Sequence, residues 1–520
     1  MIQFSALGGA PKRGNSVRLS LVSLICIVFA WAGSSHAQRP LPAPLDKAVV
    51  AAARADLAAA EQHLADNEIA AADHRFDKVI ASPGFSALEP AEQYLGLLRA
   101  GIAALDSGQA HKAHGLLVSA CAFDQSDGIA WHLRLRAAYA LNDYVDSAGS
   151  VRMIAQRWPN SLDQIREQAI FNISRRLDLS RANRDERIAM LIALFDANWT
   201  NEGVEPNELW FDLVRFLIDN ESMPRATEVA ARIDSPSIVL TFRVDKRFDG
   251  LTRARVGGFD IRRTMKRQRD HIDELRKRHP ERLSYLGDEL ELDIRDGHAE
   301  RALEQADKVI ARVAAEGTSV YSDTDDFYIW ILDARSRALQ RLGRWEDAVT
   351  QQRKAARRPE NGGLNVSQSL NLARLLARLG RADEVEEAMD ELGLMSPFGR
   401  MQLALNRVIA ATVKGDQTVV EAQLEIMRAE RIESMAAYQA ALVQAGRIDA
   451  AASLLVERLR SEDWRNGALS EVQTYIEVAE APRDTLHMQR WREILARKDV
   501  RKALDAVGRI ERVPFEKVLL

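Results

Sequence analysis

The chain reads Leu342-Gly343-Arg344-Trp345-Glu346-Asp347-Ala348-Val349 near the middle of its most regular segment. Gly343 separates two runs of helix-forming residues, and the small residue Ala348 follows five positions later. A glycine between two helical patterns predicts a tight turn, and a small residue in the first turns of the second helix lets two helix backbones approach closely. This stretch therefore predicts the junction of a helical hairpin.

The same pattern recurs along the chain. Its turn positions are Asn67, Gly108, Asn142, Gly297, Gly343, Gly380, Gly415 and Gly446. Five residues after the turn, six of the eight residues are Ala or Ser, and at nine and at twelve residues after it seven of eight are apolar. These offsets fall on one face of a helix with 3.6 residues per turn. The sequence predicts an all-α fold, an α-solenoid of antiparallel helical hairpins with an irregular helical middle segment.

The repeats resemble those of the tetratricopeptide repeat family. The matches are Leu342–Val349, the set Gly101, Gly108, Ala113 and Ala120, and Trp131 with Pro159. The resemblance covers roughly residues 50–160 and 285–460. It implies a TPR-like superhelix that binds other proteins, with the first helix of each pair lining the concave groove.

Composition shifts divide the chain further. We expect a signal peptide at 1–37, a Pro-rich tether at 38–47, N-terminal repeats at 48–160, an irregular helical segment at 161–284, C-terminal repeats at 285–460, and capping helices with a tail at 461–520. Within the irregular segment, residues 238–244 alternate β-branched and aromatic side chains, which predicts either a short strand or the start of a helix.

The first residues carry the pattern of an export signal in a bacterial-type protein. Three bases precede an apolar run from Leu19 to Ala32, and Ser35-His36-Ala37 resembles a cleavage site. An uncleaved membrane anchor is one alternative, and a lipoprotein acylated at Cys26 is another. We expect an exported protein, periplasmic or envelope-associated, with no transmembrane span after cleavage. The cleaved chain would keep a single cysteine, Cys121, for which we expect a buried thiol.

Charge is distributed unevenly. Residues 243–282 hold fourteen Lys or Arg against seven Asp or Glu, although the whole chain has a formal net charge of −4. The centre of this basic patch is formed by Arg262, Arg263, Lys266, Arg267 and Arg269. It could attract acidic protein, anionic polysaccharide or lipid headgroups, or it could be a solvated helix face paired with its own acids. Nucleic acid is not expected, because no aromatic residues interleave with the bases.

Catalytic motifs are absent from the sequence. It contains no H-E-x-x-H, no phosphate-binding loop of the Gly-Lys-Ser/Thr type and no G-x-S-x-G. His111 and His114 lie one helical turn apart, but two ligands do not make a metal site. We therefore expect neither enzyme activity nor a cofactor or metal, and keep an envelope enzyme with a spatially assembled site as an alternative.

The resemblance also places candidate partner-binding residues on the outward face of first helices. They are His132, Arg136, Tyr139, Asp333, Arg337, Gln340 and Arg374. Three of them, Arg136, Arg337 and Arg374, stand six residues before a turn, and such a row could bind carboxylates bidentately. The predicted function is a non-enzymatic scaffold that binds proteins of a cell-envelope assembly. The alternative within the binding class is a scaffold for polysaccharide export that binds an anionic polymer.

Overall fold

A computed structural model describes residues 46–516, apart from residues 202, 256, 361–362, 391, 477–478, 480 and 482. The predicted signal peptide and all but the last two residues of the predicted tether lie outside the described residues. Contacts divide the described chain into two compact units, an N-terminal unit that ends at Phe216 and a C-terminal unit that begins at Leu217.

The N-terminal unit is a stack of helical hairpins. Its helices are α1 (Lys47–Ala65), α2 (Ile69–Ile80), α3 (Pro90–Asp106), α4 (Ala110–Cys121), α5 (Gly128–Ala140), α6 (Tyr144–Arg157), α7 (Glu167–Asp178), α8 (Arg184–Asp196) and most of α9 (Asn207–Asp219). From α1 to α6, each helix packs against the next one along the chain, and α6 then packs against both α7 and α8. The apolar core therefore runs continuously between neighbouring hairpins.

The C-terminal unit continues with further helices. They are α10 (Met223–Arg232), α11 (Pro236–Val244), α12 (Asp249–Ala254), α13 (Ile261–Arg278), α14 (Leu283–Arg295), α15 (Ala299–Glu316), α16 (Thr324–Arg341), α17 (Trp345–Ala356), α18 (Val366–Arg378), α19 (Ala382–Glu387), α20 (Pro397–Lys414), α21 (Gln417–Ala429), α22 (Met435–Gln444), α23 (Ile448–Arg460), α24 (Arg465–Glu471), α25 (Asp484–Ala496) and α26 (Lys498–Val507). Helices α14 to α23 form five successive antiparallel hairpins. The predicted all-α solenoid of TPR-like hairpins is thus confirmed.

All eight predicted turn residues adopt a positive φ, between +59° at Asn142 and +81° at Gly297. Gly and Asn tolerate this left-handed conformation, and the turn also satisfies the last carbonyl groups of the first helix. At Gly343, for example, the Arg344 amide donates to the Leu339 carbonyl at 2.9 Å. The tight turns predicted from the sequence are therefore present in the structure.

The small residues five positions after each turn lie at close helix crossings. Ala113 and Ala348 are fully buried. The facing helix α3 also approaches closely, because a Cβ added to its Gly101 would come within 2.7 Å of the Leu117 side chain on α4. Two exceptions in the apolar columns, Gln352 and Arg458, are buried as well, and each has polar partners.

The middle of the chain remains helical. Residues 238–244, for which a strand or a helix was predicted, belong to α11. Between α9 and α10, Glu221 has a φ of +57° although it is neither Gly nor Asn. Across the described residues, extended pairing is limited to isolated bridges. In the same part of the chain, no helix combines the length and apolar character needed to cross a membrane.

The C-terminal segment returns to the start of its own unit. The Arg509 amide donates to the Val244 carbonyl at 2.9 Å, and Asp245 and Gly508 form a bridge. The Arg509 guanidinium donates to both carboxylate oxygens of Asp249, at 2.8 and 3.0 Å. Residues beyond α26 thus contact residues at and after the end of α11, about 260 positions earlier.

Candidate functional site

Two of the three arginines predicted to stand six residues before a turn lie on consecutive first helices of the C-terminal unit. Arg337 of α16 donates to Asp333 from Nε at 2.9 Å and to Glu291 of α14 from Nη1 at 2.8 Å. Arg374 of α18 donates to the side chains of Asn406 and Gln402 at 2.5 and 2.8 Å. Both guanidinium groups therefore have intramolecular partners.

These arginines occupy a recessed face. Burial lowers the pKa of Arg337 and that of Arg374 to about 10, because the charged form loses water, and each has a neighbouring arginine that lowers it further. The Arg337 side chain nevertheless keeps one third of its surface exposed, at 33%. A side chain surrounded by protein yet open to solvent is expected in a groove.

Asp333 lies at the bottom of this face and is buried. Its Oδ1 accepts hydrogen bonds from Gln352 of α17 at 3.2 Å and from Asn371 of α18 at 2.9 Å. Burial raises the pKa of Asp333 to about 6, while the two amide donors oppose the rise. Gln352, an exception in the apolar columns, is thus part of a buried polar network that joins two hairpins.

A second row of arginines stands two residues before the turn on three successive first helices: Arg295 of α14, Arg341 of α16 and Arg378 of α18. All three side chains are largely buried. Sequence reasoning missed this second row, although the repeat alignment that identified Arg337 and Arg374 contains it. The signal was the recurrence of one residue type at one repeat position.

The second row contacts the C-terminal part of the same unit. Arg378 donates to both oxygens of Asp484, at 3.1 and 2.7 Å, and to Gln340 at 3.0 Å. Arg341 forms an ion pair with Glu516, and the Arg295 guanidinium lies 5.5 Å from the centroid of the Phe515 ring. The row therefore binds carboxylates and an aromatic ring that come from segments following the last hairpin.

In the N-terminal unit, the predicted residues lie on α5, the first helix of the hairpin that α5 forms with α6. His132 shares a hydrogen bond of 3.0 Å with Ser161, and burial lowers its pKa. The Tyr139 hydroxyl accepts from Asn172 of α7 at 2.6 Å. Arg136 is the most exposed of the set, at 63%, and approaches Asp106 only to 4.0 Å.

The predicted basic patch divides into two parts. Arg262, Arg263, Lys266 and Arg267 are exposed on α13, and Lys266 pairs with Asp270 at 2.5 Å. Arg269 belongs instead to an internal cluster, because it donates to Asp293 at 2.5 Å and to Asp296 at 2.8 Å. Four of the five predicted bases therefore remain at the surface.

His114 and Cys121 have structural surroundings, whereas His111 is exposed. His114 lies 2.8 Å from the Asp146 carboxylate, which also pairs with Arg134. Cys121 is buried, and burial raises the pKa of its thiol to about 11. Among residues 46–516 with the gaps given above, no three His, Cys, Asp or Glu side chains gather as a metal site would need.

Comparisons with known proteins give only distant likenesses. No protein-family model matches the chain, and no curated protein matches it. Among solved structures, it is similar to one described as Naa15/Naa10 bound to HypK-THB, at 12% identity and a TM-score of 0.27, over 86% of this chain and 69% of the other. It is also similar to one described as the APC/C hetero-tetramer Cut9-Hcn1, at 12% identity and a TM-score of 0.29, over 86% and 94%.

Proposed function

We propose that the protein is a non-enzymatic interaction scaffold of the cell envelope, and that its C-terminal unit binds acidic segments of partner proteins. The observation that carries the proposal is the pair of arginine rows on successive first helices, which we call the arginine face: Arg337 and Arg374, with Arg295, Arg341 and Arg378. This face already binds the carboxylates of Asp484 and Glu516 from the same chain.

The chemistry of the face favours carboxylates. A guanidinium presents parallel donors that match the two oxygens of a carboxylate, as Arg378 does with Asp484. Equivalent positions on neighbouring hairpins repeat that donor along the solenoid, so an extended segment could meet one arginine after another. Because the side chains are recessed, salt would screen these contacts less than it screens surface pairs.

A photo-crosslinking experiment tests this placement. The full mature chain would carry a benzophenone amino acid at Gln340, on the arginine face, or at Lys308, an exposed residue of the second helix α15. We expect a partner protein to crosslink at Gln340 and not at Lys308 in an envelope extract. Equal crosslinking at both positions, or crosslinking at Lys308 alone, would contradict the proposal.

A charge variant provides the matched test. Arg378→Gln removes a guanidinium of the arginine face, whereas Arg428→Gln removes one from the exposed second helix α21, where its partner is Glu425. We expect Arg378→Gln to lose the partner at low and high salt and Arg428→Gln to retain it. Retention by both variants, with the fold intact by circular dichroism, would place binding elsewhere.

The envelope location is proposed from the sequence of residues 1–37. It predicts that the protein isolated from its host fractionates with the cell envelope and begins at Gln38 by N-terminal sequencing. Recovery from the cytosol with the N-terminus intact would contradict this part of the proposal.

The exposed bases of α13 support a second candidate, binding of an anionic polymer. Arg262, Arg263 and Arg267 make no ion pair with another described residue. We expect polygalacturonate to bind the mature chain at low salt and to be released at high salt. Neutralising these three bases should abolish that binding, whereas neutralising Lys308, Arg312 and Arg428 on other helices should not. Equal loss in both triple variants would exclude a specific role for α13.

A further inference from the structure

The last described residues lie in the C-terminal unit as a bound peptide would. The Val513 amide donates to the Thr474 carbonyl at 2.8 Å, and the Glu516 amide donates to the Arg295 carbonyl at 2.7 Å. Main-chain hydrogen bonds of this kind hold an extended segment whatever its sequence, and alternate side chains supply the specificity. Residues 512–516, which we call the tail, are therefore held in part by their backbone.

From Arg512 to Phe515 the side chains of the tail alternate between more exposed and buried positions, and Glu516 is buried directly after Phe515. Arg512 is exposed, Val513 is 1% exposed, Pro514 is intermediate and Phe515 is 2% exposed. The backbone is bridged at Arg512 and bends at Pro514 and Phe515, so the period of two expected for a strand holds only for the first four residues. The C-terminal unit thus buries the side chains of Val513 and Phe515, as a peptide-binding groove buries the anchor residues of its ligand.

Glu516 completes this recognition. Its carboxylate is 6% exposed and pairs with Arg341, which is 10% exposed, while Arg295 lies against the preceding ring. A buried ion pair of this kind stabilises a fold little, because both partners lose their hydration, and an apolar pair of similar size would serve at least as well. What the pair does supply is a requirement for an acid at that position.

The surroundings of the pair leave room beside it. A cavity of about 360 Å³ is lined by Gly297, Arg341, Ile476 and Glu516, among others. The Arg341–Glu516 pair thus borders this cavity. A partner segment that enters this cavity would contact Arg341 while Glu516 is still bound.

We infer that the tail is a built-in ligand of the arginine face, and that the partner carries a segment of the same chemistry, apolar–x–aromatic–acid, which exchanges with it. This inference rests on the function proposed above and names the partner's binding segment. Exchange preserves each type of contact, since the incoming backbone, ring and carboxylate replace those of Val513, Phe515 and Glu516. The tail competes at a high effective concentration because it is part of the same chain.

The test uses the full mature chain and a fluorescent peptide with the sequence of residues 508–516, Gly-Arg-Ile-Glu-Arg-Val-Pro-Phe-Glu. Fluorescence anisotropy would compare the unmodified chain with Phe515→Ala and with the milder Glu516→Gln. Weakening the resident tail raises the fraction of open sites, so we expect binding to tighten by about tenfold in each variant. A peptide in which Phe is replaced by Ala and Glu by Gln is the matched control and should bind neither variant.

Specificity for the arginine face is checked in the same background. Adding Arg341→Gln to Phe515→Ala should remove the gain in peptide binding, whereas adding Arg428→Gln should leave it. If both single tail variants keep the helical circular dichroism of the parent and neither gains peptide binding, the tail is a fixed part of the fold and the inference is wrong. A dimer formed by the tail variants would also overturn it, since a second copy would then be the occupant.

Crosslinking at Gln340 separates this inference from the proposed function. We expect Phe515→Ala to increase the yield of crosslinked partner. If a partner crosslinks at Gln340 but its yield does not respond to Phe515→Ala or Glu516→Gln, the scaffold function stands and the exchange fails. If the peptide binds the tail variants but no protein crosslinks at Gln340, the site exists and the scaffold function fails.

Discussion

Arg458 donates two parallel hydrogen bonds to Glu471, from Nη1 at 2.8 Å and from Nη2 at 2.6 Å, and only 2% of Arg458 is exposed. The pair joins α23, the second helix of the last hairpin, to the short helix α24 that follows it. A charged residue thus occupies a position where the repeat pattern calls for an apolar side chain. The arginine is tolerated there because its carboxylate partner comes from the adjoining helix.

This pair predicts an asymmetric response to mutation. Glu471→Ala leaves a buried guanidinium without its carboxylate, so we expect a loss of about 3–5 kcal/mol in the free energy of unfolding. Replacing both residues, Arg458→Met with Glu471→Leu, should restore most of that loss, because no buried charge remains. Urea denaturation measures both. Glu304→Ala breaks an exposed pair on α15 and serves as the control, for which we expect no measurable change.

Asp333 predicts a dependence of stability on pH. Its pKa is raised from 3.8 to about 6 in the folded state, so the folded chain binds a proton more tightly than the unfolded chain does. Stability from this residue is therefore greatest below pH 4 and falls as the pH rises to 6, by about 2–3 kcal/mol. Asp333→Asn removes the titration.

The measurement is the difference in unfolding free energy between the parent and Asp333→Asn at several pH values. We expect the parent to gain about 2–3 kcal/mol relative to the variant between pH 7 and pH 4. A difference that stays constant would mean that Arg337 keeps Asp333 ionised throughout this range.

Two glycines of one hairpin predict opposite effects of the same substitution. Gly108 has a φ of +72° at the turn between α3 and α4, so Gly108→Ala should cost about 1–2 kcal/mol from backbone strain. Gly115 lies within α4, is exposed, and has open space around its Cβ position. Gly115→Ala should therefore stabilise the chain by about 0.5–1 kcal/mol. Thermal unfolding of the two variants gives the sign directly, and a loss in both would contradict the assignment of strain to the turn.

Much of the fold could be predicted because its signals are local. Turn residues such as Gly343 and small residues such as Ala348 recur at fixed offsets, and the same short-range geometry forms each hairpin. At Glu221 the sequence signal of the turn is weaker, because a glutamate occupies a left-handed position normally held by Gly or Asn. The residues around it, Ala226 and Ala230, still follow the repeat columns.

The arginine face was only half predicted. The row with Arg337 and Arg374 came from the resemblance, whereas the row with Arg341 and Arg378 went unnoticed although it repeats at a fixed position. No local sequence pattern indicates which residues bind this second row of arginines. Glu516 meets Arg341 across 175 positions of sequence, and nothing in Val513-Pro514-Phe515 indicates which part of the chain it contacts.

The hydrogen bond between Arg509 and Val244 changes the order in which parts of the C-terminal unit are expected to unfold. A linear array of repeats frays from its ends, because each terminal hairpin has only one neighbour. Here residues 509–516 are bound within the array, so tension between its two ends would first load the contacts of Glu516 with Arg295 and Arg341, and then those of Arg509 with Val244 and Asp249. Once these contacts have broken, the last helices have a free end and the hairpins can unfold one after another. Residues 509–516 therefore set the force needed to unfold a unit of about 300 residues.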